Sequence, residues 1–176
     1  MAELSPTLKK FILHWGEMGT RWGINRTVAQ IHALLFLSSE PLTAEDIADA
    51  LSVARSNVST SLRELQAWGL VRVVHILGDR RDHFQALRDV WEMFQLILDG
   101  RKRREVDPTL AVLRECVAEG RVGSLDGESR ERLLELLGFF EMTTTWYEQV
   151  RRLPRPTLRK FIRMGERVTR LLDTGS

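Results

Sequence analysis

The stretch TAEDIADALSVARSNVSTSLRELQAWGLVRVVHILGDRRDHFQA, residues 43–86, changes its hydrophobic period once, and that change decides the fold. Up to Gly69 the apolar residues recur at helical spacing, with Ile47, Ala48 and Leu51 on one short helix and Val58, Leu62 and Leu65 on the next. Thr43 can cap the first helix, and Glu45 and Asp46 suit the positive end of its dipole. Ser52 is expected to cap the second helix, and Gly69 to stop it. Beyond Gly69 the period becomes two. Leu70 to Ile76 reads as a strand, Gly78-Asp79-Arg80-Arg81 as a polar turn, and Asp82 to Ala86 as the returning strand. Two short helices joined by a tight turn and followed by a hairpin are the order of a winged helix-turn-helix.

Helices are expected on both sides. Ser5-Pro6 opens one with Leu8, Phe11, Ile12 and Trp15 in phase, its far end weakened by Gly16, Gly19 and Gly23. A second runs from about Asn25 to Ser38 with Val28, Ile31, Leu34, Leu35 and Leu37 turned inward, until Glu40-Pro41 forces a turn. After Leu87, Asp89 caps a helix presenting Val90, Phe94, Ile97 and Leu98, and Asp107-Pro108 restarts or kinks it. Gly120 to Gly127 reads as a turn, Ser124-Leu125-Asp126 leads into a helix through Tyr147, and Pro154-Arg155-Pro156 precedes a last helix from about Thr157 to Leu172. The expected fold is mainly α with a small β-hairpin: a winged helix-turn-helix flanked by N- and C-terminal dimerisation helices. Its divisions are an N-terminal interface helix (1–25), a DNA-binding domain (26–88) and a helical dimerisation region (89–176). Leu133, Leu134, Leu136, Leu137, Phe139 and Phe140 exceed what one narrow helix face can hide, so part of this surface should meet a second copy of the chain.

Composition narrows the alternatives. The 176 residues are 43% hydrophobic and 28% charged, ordinary for a globular chain, and a net charge of +2 means that any nucleic-acid footprint is local. A single cysteine, Cys116, excludes an intramolecular disulfide and a multi-cysteine zinc site, and reads as a buried inert thiol. The four histidines, His14, His32, His75 and His83, lack metal-ligand spacing, although His75 and His83 could face one another across the hairpin. No signal peptide and no apolar run of roughly 18 residues is seen, so a soluble cytoplasmic protein is expected. Phosphate-cradling glycine loops, nucleophile elbows and paired-histidine motifs are missing too, which leaves no catalytic residue, cofactor or metal to assign.

The second helix of the motif carries the chemistry. With Val58 and Leu62 turned inward, its outer face presents Arg55, Ser56, Asn57, Ser59, Thr60 and Arg63, without an acidic side chain among them. Small hydroxyls admit the backbone to a major groove, arginine can be bidentate to guanine, and asparagine can pair with adenine. Serine and threonine are poor helix-interior residues, so their clustering here makes more sense on a working face than on a merely solvated one. Arg80 and Arg81 at the hairpin tip can reach a minor groove or its phosphates, and Asp79 or Asp82 could hold one of them in place. The rival reading is a winged helix used for protein–protein contact without DNA, which has no need of this basic, acid-free face.

These residues resemble a known group. Glu45-Asp46-Ile47-Ala48, Ser56-Asn57-Val58-Ser59, Leu62, Leu65, Trp68-Gly69-Leu70-Val71 and above all Gly78-Asp79-Arg80-Arg81-Asp82 are similar to the GbsR branch of the MarR superfamily, from about Gly16 to Leu113. The resemblance implies a homodimeric repressor or activator on double-stranded operator DNA, and a repressor is expected here. The recognition helix, carrying Arg55, Ser56, Asn57, Ser59, Thr60 and Arg63, would lie in the major groove, and Arg80 and Arg81 would serve the wing, with Arg81 inserting. Some members of the branch respond to choline or related quaternary amines. Trp15, Trp22, Trp91, Trp146 and Tyr147 are the aromatic residues that could cage such an effector through cation–π attraction, although tryptophans at helical spacing are more often core or interface anchors. Arg101-Lys102-Arg103-Arg104, the densest basic run, reads as a solvated face, with flanking phosphates or acids across a dimer as the alternatives.

Overall fold

Thr43 does two jobs in the computed structural model, which describes residues 4–120 and 126–173. It ends a two-residue strand, β1 (Leu42–Thr43), and caps helix α3 (Ala44–Leu51). The cap is reciprocal: the Asp46 amide donates to Thr43 Oγ1 at 3.2 Å, while the Thr43 amide donates to Asp46 Oδ2 at 3.0 Å. The Thr43 hydroxyl also donates to Asp46 Oδ2, at 2.6 Å, and this bond, with that from the Thr43 amide, holds the Asp46 carboxyl below its ordinary pKa.

Two helices precede this point, α1 (Pro6–Arg21) and α2 (Arg26–Leu37), capped by Ser5 and Asn25. The sequence suggests that glycines weaken α1, but the helix runs through Gly16 and Gly19 because they are packing positions. A Cβ on Gly19 would lie 2.5 Å from Ala29 Cβ, so only glycine lets α1 and α2 approach this closely. Leu37, expected inward, is exposed at the end of α2.

Helix α4 (Arg55–Ala67) follows α3. Ser52 does not cap it. With φ at 53° Ser52 terminates α3 in the left-handed region, and Ala54 takes the N-cap position of α4 with no side-chain hydrogen bond. Gly69, at φ 74°, turns the chain into the hairpin β2 (Val71–Val74) and β3 (His83–Ala86). Strand β1 pairs with the outer edge of β3, giving a three-stranded antiparallel sheet in the order β1-β3-β2. Two residues are too few to show a period, so the third strand is not foreseeable from the sequence. His83 stands opposite Val74, which leaves His75 beyond the paired ladder.

Ile31, Ile47 and Val58 are wholly buried in one core with Leu34, Leu62, Leu65 and residues of the sheet. Helix α5 (Val90–Arg101), capped by Asp89, adds Met93, Leu96 and Ile97 to this core. Val90 and Phe94, expected inward, are exposed, so the helix is rotated from the face its sequence suggests.

The chain divides into two compact units, residues 1–97 and 98–176. In the second, a π-helical segment, Lys102–Val106, leads without a break into α6 (Asp107–Glu119), so Pro108 enters a continuing helix. Leu110, Leu113 and Val117 of α6 are buried, while α7 (Gly127–Arg151) fully buries none of its residues. Ion pairs link these elements: Arg114 to Glu141 at 3.0 Å, and Lys102 to Asp107 at 2.7 Å and Glu148 at 3.4 Å. Tyr147 donates to Asp99 at 2.6 Å, and burial together with that bond pushes its pKa up. Helix α8 (Arg155–Asp173) closes the described chain, and part of the turn expected between Gly120 and Gly127 lies outside the described residues.

His32 is the polar exception in the first core. Its Nε2 has no hydrogen-bond partner among the described residues, and burial pushes its pKa down to about 4. An unfolded chain takes up this proton near pH 6.5, so folding stability should fall as pH drops from about 6.5 to about 4. The loss should be on the order of 3 kcal/mol. Urea titrations across that range should show it, and His32→Phe should flatten the dependence.

Candidate nucleic-acid interface

Helix α4 is anchored by Val58, Ser61, Leu62 and Leu65, all buried. That leaves Arg55, Ser56, Asn57, Thr60 and Arg63 exposed, with Ser59 half-buried beside them. Arg63 lies back along its own helix, donating from Nε to the Ser59 carbonyl and from Nη2 to Thr60 Oγ1, both at 3.3 Å. At the first turn Ala54 supplies no side-chain acceptor and no acidic residue is present, so positive potential from the helix end adds to that of Arg55.

The face is less free of negative charge than its sequence implies. Glu45, from α3, pairs with Arg55 at 2.8 Å. Glu45 and Arg55 are ten positions apart, and only the crossing of α3 and α4 brings them together. No sequence pattern marks the contact.

The wing tip turns at Gly78, with φ 86°. Asp79 organises it. Its Oδ1 accepts from the Arg81 amide and from Arg81 Nε, each at 3.0 Å, and its Oδ2 accepts from Arg81 Nη2 at 2.6 Å. These bonds drive the Asp79 carboxyl far below the usual carboxylate range. His83, buried at the base of the wing, has Nε2 3.5 Å from Asp79 Oδ2 and Nδ1 3.0 Å from the Arg81 carbonyl. Of the two aspartates that flank the arginines, Asp79 is the one that holds Arg81, while Arg80 is exposed without a partner among the described residues.

The wing is also tied at its base. Arg72 on β2 donates to Gln85 on β3 at 3.1 Å, and Arg88 donates to the carbonyls of Ser38 and Ser39.

Residues 22–82 match the family model described as MarR family. That stretch runs from the end of α1 to the wing tip and is similar to that family. A curated relative, the HTH-type transcriptional repressor GbsR of Bacillus subtilis (strain 168), is 23% identical over 136 residues, which are 75% of this chain and 75% of that protein. A solved transcriptional regulator, 20% identical, covers 83% of this chain and 96% of its own length with a TM-score of 0.59, which shows that the fold is shared. The matched stretch contains α3, α4 and the wing tip, with all the residues expected from the sequence to face DNA.

The aromatic residues expected around an effector are divided. Trp15, stacked on Phe11 at 5.5 Å, belongs to the first unit with Trp22 and Trp91; Trp146 and Tyr147 belong to the second. Among the described residues no group of three or more His, Cys, Asp or Glu side chains could hold a metal ion.

Because the Asp79 carboxyl is ionised to unusually low pH, its clasp on Arg81 should persist through the range where ordinary aspartates titrate and open only in stronger acid. The Nε–H resonance of Arg81 reports this directly. It should be protected from solvent exchange at pH 5 in the wild type, and exposed in Asp79→Asn.

Proposed function

We infer that this chain is a sequence-specific DNA-binding transcription regulator. The observation that carries the reading is the outward face of α4, basic and rich in hydroxyls, on the same unit as the arginine-tipped wing. Arg55, Ser56, Asn57, Ser59, Thr60 and Arg63 meet base edges and phosphates of a major groove, while Arg80 and Arg81 anchor the wing in the adjacent minor groove. Reading DNA is the work of these side chains, and it requires no catalysis. The likeness to a curated repressor favours repression, carried out in the cytoplasm.

The chain acts as a homodimer. Exposed Leu136, Phe139, Met142 and Trp146 recur on α7 at intervals of three, three and four residues, an apolar stripe that suits a second copy. In this scheme the terminal helices serve the interface. A two-fold pair spaces its reading helices about 34–36 Å apart, so the operator is an inverted repeat with half-sites one DNA turn apart.

Selection from random duplexes tests the reading: an inverted repeat should be enriched, and its absence would sink the regulator hypothesis. On the selected site, Arg55→Ala or Asn57→Ala should each cost about 1–3 kcal/mol and relax base preference at one position. Arg81→Ala should weaken binding with little change in major-groove preference.

A quaternary amine such as choline is the effector class suggested by the likeness to the GbsR branch, held by aromatic side chains through cation–π attraction. Tryptophan fluorescence titrated with choline and with betaine should then change, together with affinity for the selected operator. No response at millimolar ligand removes this assignment and leaves DNA reading intact.

A further inference from the structure

Arg55 occupies an awkward place. It opens α4, where the aligned peptide dipoles repel a cation, and neither Ala54 nor any residue of the first turn offers a counter-charge. Glu45 supplies that charge from the neighbouring helix, at 2.8 Å. The adjacent Asp46 is instead engaged by Thr43 through Oδ2.

The pair lies open to solvent, with Arg55 68% and Glu45 43% exposed. An ion pair in water adds little to folding stability and exchanges partners easily. Its consequence is felt when another polyanion approaches. Glu45 and Asp46 also lie within electrostatic reach of Arg81, so their negative charge stands near both the reading helix and the wing. A phosphate drawn toward Arg55 meets the Glu45 carboxylate as well, and the attraction is offset. A guanine edge differs from a phosphate here. Its O6 and N7 are uncharged acceptors that take arginine in a bidentate geometry, without bringing a second anion against the carboxylate.

We propose that Glu45 is a specificity-determining positioning residue, which suppresses the sequence-independent attraction of Arg55 for phosphate and holds its guanidinium for base contact. The proposal rests on the DNA-reading function above, and it adds an acidic residue on α3 to the basic ones on α4 and the wing.

The test uses the full chain, the selected operator and a scrambled duplex of equal length and composition, over a series of salt concentrations. Relative to wild type, Glu45→Gln should bind the scrambled duplex roughly three- to fivefold more tightly, with the operator gaining less, so that discrimination falls. Its salt dependence on the scrambled duplex should steepen by about 0.9 log units per log unit of salt, the signature of one more phosphate neutralised. Glu45→Asp, which keeps the charge, should retain part of the discrimination. In an Arg55→Ala background, Glu45→Gln should leave discrimination unchanged. Thermal melts establish that each variant is folded. Equal discrimination by Glu45→Gln and wild type overturns the proposal, as does an undiminished effect of Glu45→Gln without Arg55. If wild type itself does not distinguish the two duplexes, the DNA-reading function fails and the proposal with it.

Discussion

The burial of one side of α4 is the constraint on which the rest depends. Val58, Leu62 and Leu65 fix the helix in the core, each contributing about 1.5–3 kcal/mol when fully removed from water. This anchoring has much to offset. Ser56, Ser59, Thr60 and Ser61 are weak helix formers, and the N-terminus has no side-chain cap. A helix of this composition would not hold its shape alone, so its orientation comes from tertiary packing. The outer face is therefore free to carry residues chosen for what they meet outside the protein.

Charge is arranged on that surface with similar economy. The net charge of +2 hides a set of cations, most of them individually restrained: Arg55 by Glu45, Arg63 by Ser59 and Thr60, Arg81 by Asp79. Exposed pairs of this kind scarcely stabilise the fold. They do reduce the number of rotamers each long side chain must surrender on binding, which is the usual entropic penalty of an arginine-rich surface.

The winged order was legible because a change of hydrophobic period survives without tertiary information. Gly69 and Gly78 marked its turning points for a local reason, since both adopt positive φ. Contacts made across the fold were less visible. The strand β1 is too short to have a pattern, and the Glu45–Arg55 pair joins residues that only the packing of two helices brings together. The rotation of α5 was misread because its helix is apolar on more than one side, and only the core decides that Met93 and Leu96 turn inward while Phe94 does not. Ser52 was misplaced by one element. Its hydroxyl suggested a cap, whereas its backbone ends the preceding helix.

The double duty of Thr43 has a consequence for how such a domain can diversify. Thr43 pairs with His83 at the root of the hairpin and caps α3 at the same time, so the base of the wing and the start of the helix pair share one fastening. Everything distal to that fastening, from His75 to Asp82, projects from a clamped root. Its length is open to revision, because the backbone pairing that fastens it to the helices is made at the root and not at the tip. A lineage, or an engineer, can rewrite that loop as an interchangeable part while the reading head keeps its geometry.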